Sequence, residues 1–133
     1  MESLLARIGP LSHALLRIVA GFLLACHGAQ KIFGVLGGLG GSSGGTAPLF
    51  TLLWFGGLIE LVGGTLVALG VRTNLAAFIC SGQMAVAYFM FHQPKAPLPI
   101  QNGGELAALY AFVFLFLAAK GAGPLALERS SLR

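Results

Sequence analysis

Four long apolar runs alternate with short breaks along the chain, at about 11–33, 48–69, 75–91 and 103–119. The first is interrupted by Arg17, His27, Gln30 and Lys31, and the second holds a single charge, Glu60. The breaks are a Gly/Ser loop at 37–45, a turn at 70–74, and a stretch from His92 through Pro94, Pro97 and Pro99. Those prolines are expected to exclude helix, and Gly121, Gly123 and Pro124 to end the fourth run. The runs lack period-2 alternation, and only helices or closed barrels satisfy every backbone group in lipid. Each is therefore read as a helix, and the short loops make neighbours antiparallel. The expected fold is all-α: an integral membrane four-helix bundle, up-down-up-down, forming one domain over 1–133.

Composition supports this reading. Of 133 residues, 56% are hydrophobic and 9% charged, against about 25% charged in soluble domains. A soluble chain of this size has too little interior to hide so much apolar surface. The net charge of +4 is spread singly and forms no basic stripe, so nucleic acid is not an expected partner. Arg7, Arg72, Lys120, Arg129 and Arg133 fall on one side of the expected topology, and Lys31 and Lys95 on the other. By the positive-inside rule both termini are cytoplasmic. Leu23-Leu24-Ala25-Cys26 loosely resembles a lipidation box, but Arg17 interrupts the apolar stretch a signal peptide needs.

Ionisable groups within a membrane are costly and mark function by default. His13, Arg17, Ala20, Leu24, His27 and Lys31 share one face at three-and-four spacing, a face that must turn inward or line a cavity. His13 and Lys31 have the plainer alternative of sitting at the two interfaces. Glu60 lies midway along its run with no cation on its own helix, and Arg17 is its expected partner, as a functional or a purely structural pair. Gly56, Gly57, Gly63 and Gly64 flank it and permit close helix approach, within the chain more than between copies.

Asn102 and Glu105 have capping-box spacing at the start of the fourth helix. Glu105 also falls near the same end as His27, Lys31 and His92, where Gln30 and Gln83 add amides to an expected polar cluster. His27, His92 and Glu105 lack the spacing of a metal site, and none is expected. Cys26 and Cys80 are not a CxxC pair and fall at different depths. The aromatic-rich third and fourth runs suit core or lipid, and an apolar pocket beside polar anchors also suits a flat lipophile.

Several segments, in order, resemble the DoxX family. They are Leu16-Arg17, His27-Gly28 and Lys31, Gly57-Leu58-Ile59-Glu60-Leu61-Val62-Gly63-Gly64, Met84-Ala85-Val86-Ala87-Tyr88-Phe89 and Asn102-Gly103-Gly104-Glu105-Leu106. The resemblance covers 11–123. It implies a small four-helix protein of the bacterial inner membrane, linked to quinone-coupled oxidation or resistance to oxidative stress. The family's polar positions carry over to Arg17, His27, Lys31, Glu60, Asn102 and Glu105. The chain departs from the family pattern at Thr73-Asn74 and at 123–128, which puts in doubt any partner contact made through that tail.

Three functions fit these residues. The first is a membrane subunit binding a quinone or quinol-like lipophile, through Arg17, His27, Lys31, Glu60, Gln83, His92, Asn102 and Glu105. His27, Glu60 and Glu105 are then the candidates for proton exchange. The sequence has no evident haem or iron–sulfur ligand set, so the reading expects no intrinsic cofactor, a bound quinone, and a redox partner protein. It makes the chain an accessory subunit of a quinone-linked oxidoreductase and leaves its own catalysis open. The second is a proton-linked transporter, for which a homo-oligomer would supply the missing room. The third is a scaffold or assembly factor without catalysis. In all three the constant partner is the lipid bilayer.

Overall fold

The computed structural model describes residues 1–41 and 43–128. Arg129 and Arg133, two of the cations behind the expected orientation, lie outside the described residues. The described chain is predominantly helical, with no strand among the described residues. Its helices are α1 (Glu2–Phe33), α2 (Leu52–Leu69), α3 (Thr73–Ala87), α4 (Pro99–Asn102) and α5 (Glu105–Lys120). A π-helical turn (Tyr88–His92) and a 3-10 turn (Gln93–Lys95) extend α3. Three stretches, Glu2–Phe33, Leu52–Leu69 and Thr73–Lys95, are long and apolar enough to cross a membrane. α5 has 16 residues, about 24 Å at helical rise.

The helix starts differ from the sequence expectation for identifiable reasons. α1 begins nine residues early and runs through Pro10. α2 begins at Leu52, where the Thr51 side chain caps it by accepting from the Trp54 amide at 3.3 Å. α3 begins at Thr73, immediately after Arg72, which sits in the left-handed region at φ 48°. The proline stretch contains helix after all. Pro94 and Pro99 occupy first-turn positions of the 3-10 turn and of α4, where proline has no intrahelical N–H bond to lose.

α1 packs along α2, α3 packs along α5, and α2 meets α3 between the two pairs. Glycine sets the first contact. A Cβ added at Gly21 would meet Gly64 O at 2.7 Å and Ala68 N at 2.5 Å, and one at Gly64 would meet Ala25 N at 2.6 Å. At Gly28 it would run into Leu61 N and Gly57 O. The two backbones thus touch directly at glycines seven residues apart on each helix, the close approach that small residues allow. This is the tight intramolecular packing the glycines predict. Gly63 does the same for α3, since a Cβ there would collide with Cys80 Sγ. Leu24, Val67, Cys80, Phe114 and Leu117 form the buried centre.

Arg17 holds the end of the bundle nearest the termini. It is fully buried, and its guanidinium donates to Val67 O (3.0 Å) and Ala68 O (2.7 Å) at the end of α2. It also donates to Pro124 O (3.1 Å) and Leu125 O (2.8 Å) beyond α5. Residues 121–128 wrap this end as a strap. Leu127 and Glu128 amides donate to Leu69 O and Gly70 O, and the Glu128 carboxylate accepts from the Arg72 amide. The departures at 123–128 and at Asn74 therefore have a structural use, because Asn74 Nδ2 donates to Ala118 O at 2.7 Å.

Candidate functional site

The register set by the glycines decides which cation can reach Glu60. Gly28 lies against Leu61 and Gly21 against Ala68, so Glu60 stands level with residue 29 of α1 and Arg17 with residue 72. On α1 that is 12 residues, from 17 to 29, about 18 Å at helical rise. The expected Arg17–Glu60 pair is thereby excluded. Arg17 instead uses helix-end carbonyls, which carry the negative end of the α2 dipole.

The partner of Glu60 is Lys31. Its Nζ donates to Oε1 at 2.6 Å and to Oε2 at 2.5 Å. Glu60 is 0% exposed, and the Lys31 side chain 19%. Gln83 of α3 adds a third donor, Nε2 to Glu60 Oε1 at 3.0 Å. A buried carboxylate is tolerable when it is paired and hydrogen-bonded. Two glycines make the room. A Cβ at Gly57 would meet Lys31 Cβ at 2.8 Å, and one at Gly56 would lie 3.0 Å from Gln83 Nε2. Lys31 belongs to the last turn of α1, where its charge also complements the helix C-terminus.

These three polar residues line a lateral groove of about 490 Å³ between α2 and α3. Its walls are apolar and include Phe55, Ile59, Phe78, Ile79, Val86 and Phe91, and His92 stands at its edge. Phe55, Phe78, Ile79 and Val86 are exposed on the bundle surface, so the groove opens sideways. The chemistry it offers is an apolar slot with an ammonium, a carboxylate and an amide in its lining.

The other expected site residues go elsewhere. His27 packs edge-on against Tyr110, with ring centroids 6.4 Å apart, on the α5 side. His92 stacks with Tyr88, and its Nδ1 lies 3.3 Å from Asn102 O. Asn102 is buried but is not a helix N-cap. It ends α4, its Oδ1 accepts from the Gly104 amide at 2.8 Å, and its Nδ2 donates to Tyr88 Oη at 3.2 Å and Ala96 O at 3.0 Å. Gly104 caps α5 without a side-chain bond, so the expected capping box does not form. Glu105 is exposed on the first turn of α5 and makes no hydrogen bond with a described residue. Gln30 donates to Leu36 O. The single cluster expected of these residues is thus split: Lys31, Glu60, Gln83 and His92 line the groove, Asn102 contacts His92 and Tyr88, and His27 and Glu105 stand apart. No group of His, Cys, Asp and Glu among the described residues is placed to hold a metal ion. Cys26 and Cys80 are free thiols.

Besides the Lys31–Glu60 pairing, sequence reasoning missed the link between Tyr88 and Asn102. Their link crosses a proline-rich segment read as plain loop, and Asn102 had an obvious alternative use as a cap.

Comparison with known proteins shows the family. An uncharacterized protein of Haemophilus influenzae is 39% identical over 127 residues, covering 93% of each chain. No solved structure matches. The DoxX family model matches residues 12–93, the stretch that contains Arg17, His27, Lys31, Glu60, Gln83 and His92. The chain is a membrane protein of the DoxX family.

Proposed function

We propose that this protein binds a quinone- or quinol-like lipophile in the groove between α2 and α3, as a subunit of a redox or oxidative-stress pathway. The observation that carries this reading is an apolar slot of about 490 Å³ whose lining contains the Lys31–Glu60 pair. That volume falls within the usual range of small-molecule pockets, about 300–1,000 Å³. The slot opens on the bundle surface, so a lipophile dissolved in the bilayer enters without crossing water.

A flat ring sits between Phe55, Phe78 and Ile79, with an oxygen directed at the polar lining. Lys31 donates to that oxygen. Glu60 accepts from a hydroxyl, and its carboxylate takes or returns the proton when the ring changes oxidation state. Reduction of a quinone to a quinol takes two electrons and two protons. A redox partner protein supplies or removes the electrons, and Glu60 with His92 at the groove edge handles protons. In this reading the four membrane-spanning segments are α1, α2, α3 with its extension, and α5. Arg7, Arg72 and Lys120 lie at one end and Lys95 at the other, while Lys31 is neutralised by Glu60. That distribution supports an orientation with both termini in the cytoplasm of a bacterial cell.

The test is direct binding. Protein in lipid nanodiscs is titrated with a short-chain quinone and its quinol, following quenching of Trp54 and displacement by added lipid. Saturable binding that weakens at least tenfold in Glu60→Gln and in Phe78→Asp supports the reading. Absence of saturable binding, or affinity untouched by both substitutions, overturns it.

A further inference from the structure

α1 outruns the bundle it belongs to. Residues 1–12 are all exposed, and the side chains of α1 begin to pack at His13, against Phe116 and Gly123. The helical residues 2–12 therefore project about 16 Å beyond the bundle. This segment is two-sided. Leu4, Leu5, Ile8 and Leu11 fall on one face, each 44% exposed or more. The same face continues along the bundle as Leu15, Val19 and Phe22, also exposed, which is the side of α1 turned to lipid. Arg7 borders the stripe, and Glu2, Ser3 and Ala6 lie away from it.

Gly9 and Pro10 sit where the arm meets the bundle. Pro10 has no N–H for the Ala6 carbonyl, and its ring crowds that carbonyl. A helix so obstructed opens on the proline side and bends toward the opposite side. At 100° per residue, Pro10 lies opposite the leucine stripe, so the favoured bend is outward from the bundle. An outward bend rotates the stripe from facing sideways to facing the bilayer. No packed neighbour holds the chain at Gly9, where a Cβ would meet nothing within 4 Å, and glycine is the most conformationally permissive residue.

We infer that residues 2–9 form an interfacial arm that hinges at Gly9–Pro10 and lies on the bilayer surface. Leu4, Leu5 and Ile8 enter the acyl region and Arg7 meets lipid phosphates. Short amphipathic segments with a cationic border bind membranes in this way. The arm gives the first helix a lateral anchor at the end held by Arg17 and the strap. The inference is independent of the groove's ligand.

The experiment uses the full chain in vesicles of phosphatidylethanolamine and phosphatidylglycerol. A nitroxide is attached at Leu5→Cys or at Ala6→Cys, with the unsubstituted protein as the baseline for Cys26 and Cys80. Collision with oxygen, which concentrates in lipid, is compared with collision with a water-soluble nickel chelate. The expected result is oxygen-dominated collision at position 5 and chelate-dominated collision at position 6. Adding Pro10→Ala should raise chelate access at position 5 severalfold, because the arm straightens into water. Equal chelate access at both positions overturns the inference. So does a position-5 label shielded from both reagents and broadened by a second label, which would mean that another copy covers the stripe.

Discussion

Lys31 closes on both carboxylate oxygens of Glu60, at 2.6 and 2.5 Å, from the last turn of α1 to the middle of α2. The cation nearer the groove rim therefore reaches down to the buried acid. The deeper cation of the same helix, Arg17, is spent on backbone carbonyls at the opposite end. The two cations of α1 thus have separate tasks, one holding the groove's carboxylate and one holding the fold's end.

A double-mutant cycle separates these tasks. Lys31→Met leaves Glu60 buried without its cation and should lower stability by about 3–5 kcal/mol. Adding Glu60→Gln to Lys31→Met should recover much of that loss. Arg17→Met and Glu60→Gln share no partner and should add within about 0.5 kcal/mol. Reversible unfolding in mixed micelles measures all three. Strong Arg17–Glu60 coupling would contradict the register.

Arg17 should tolerate no cationic substitute. Lysine keeps the charge but lacks the planar fork that reaches two pairs of carbonyls. Arg17→Lys should loosen residues 121–128 from the end of α2, increasing the rate of proteolysis within the strap at least tenfold while α3 and α5 stay protected. Unchanged cleavage would mean that the strap is held by its backbone bonds to Leu69 and Gly70 alone.

Glycines at the helix contacts and in the groove should respond oppositely. A methyl group at Gly28 or Gly64 would press on the backbone of the facing helix, so Gly28→Ala and Gly64→Ala should sharply reduce folded yield. A Cβ at Gly82 meets nothing within 4 Å, and alanine is favoured over glycine within a helix by about 0.5–1 kcal/mol. Gly82→Ala should therefore keep or raise thermal stability. Because Gly82 lines the groove, the same change should weaken ligand binding. Size-exclusion profiles and melting temperatures read the first effect, and titration reads the second.

The long helices are legible in the sequence because a bilayer leaves few alternatives for apolar runs of that length. Their exact starts are not, because Thr51, Arg72 and Pro99 begin helices by local geometry that hydrophobicity does not report. Glu60 stands out as the lone charge of its run, and Gln83 as an amide of the expected outer cluster; that the two meet is visible only in the structure. Their partner depends on register. Matching helix ends brings Arg17 within apparent reach of Glu60. The register is written instead in the seven-residue spacing of Gly21 and Gly28 against Gly57 and Gly64, which places Lys31 beside the carboxylate. His27 and Glu105 share an end of the bundle with the groove residues, but His27 faces Tyr110 and Glu105 is exposed, a distinction of azimuth that depth alone cannot make.

The central claim is that the groove between α2 and α3 holds a lipophile against the carboxylate of Glu60. A crystal or cryo-electron density map of the protein equilibrated with a brominated quinone tests it most directly. Halogen density between Phe55, Phe78 and Ile79, with the ring oxygen within hydrogen-bond distance of Lys31 or Glu60, is the result expected. A brominated ring found only among bulk lipid, with the groove filled by side chains or acyl tails, would contradict the account.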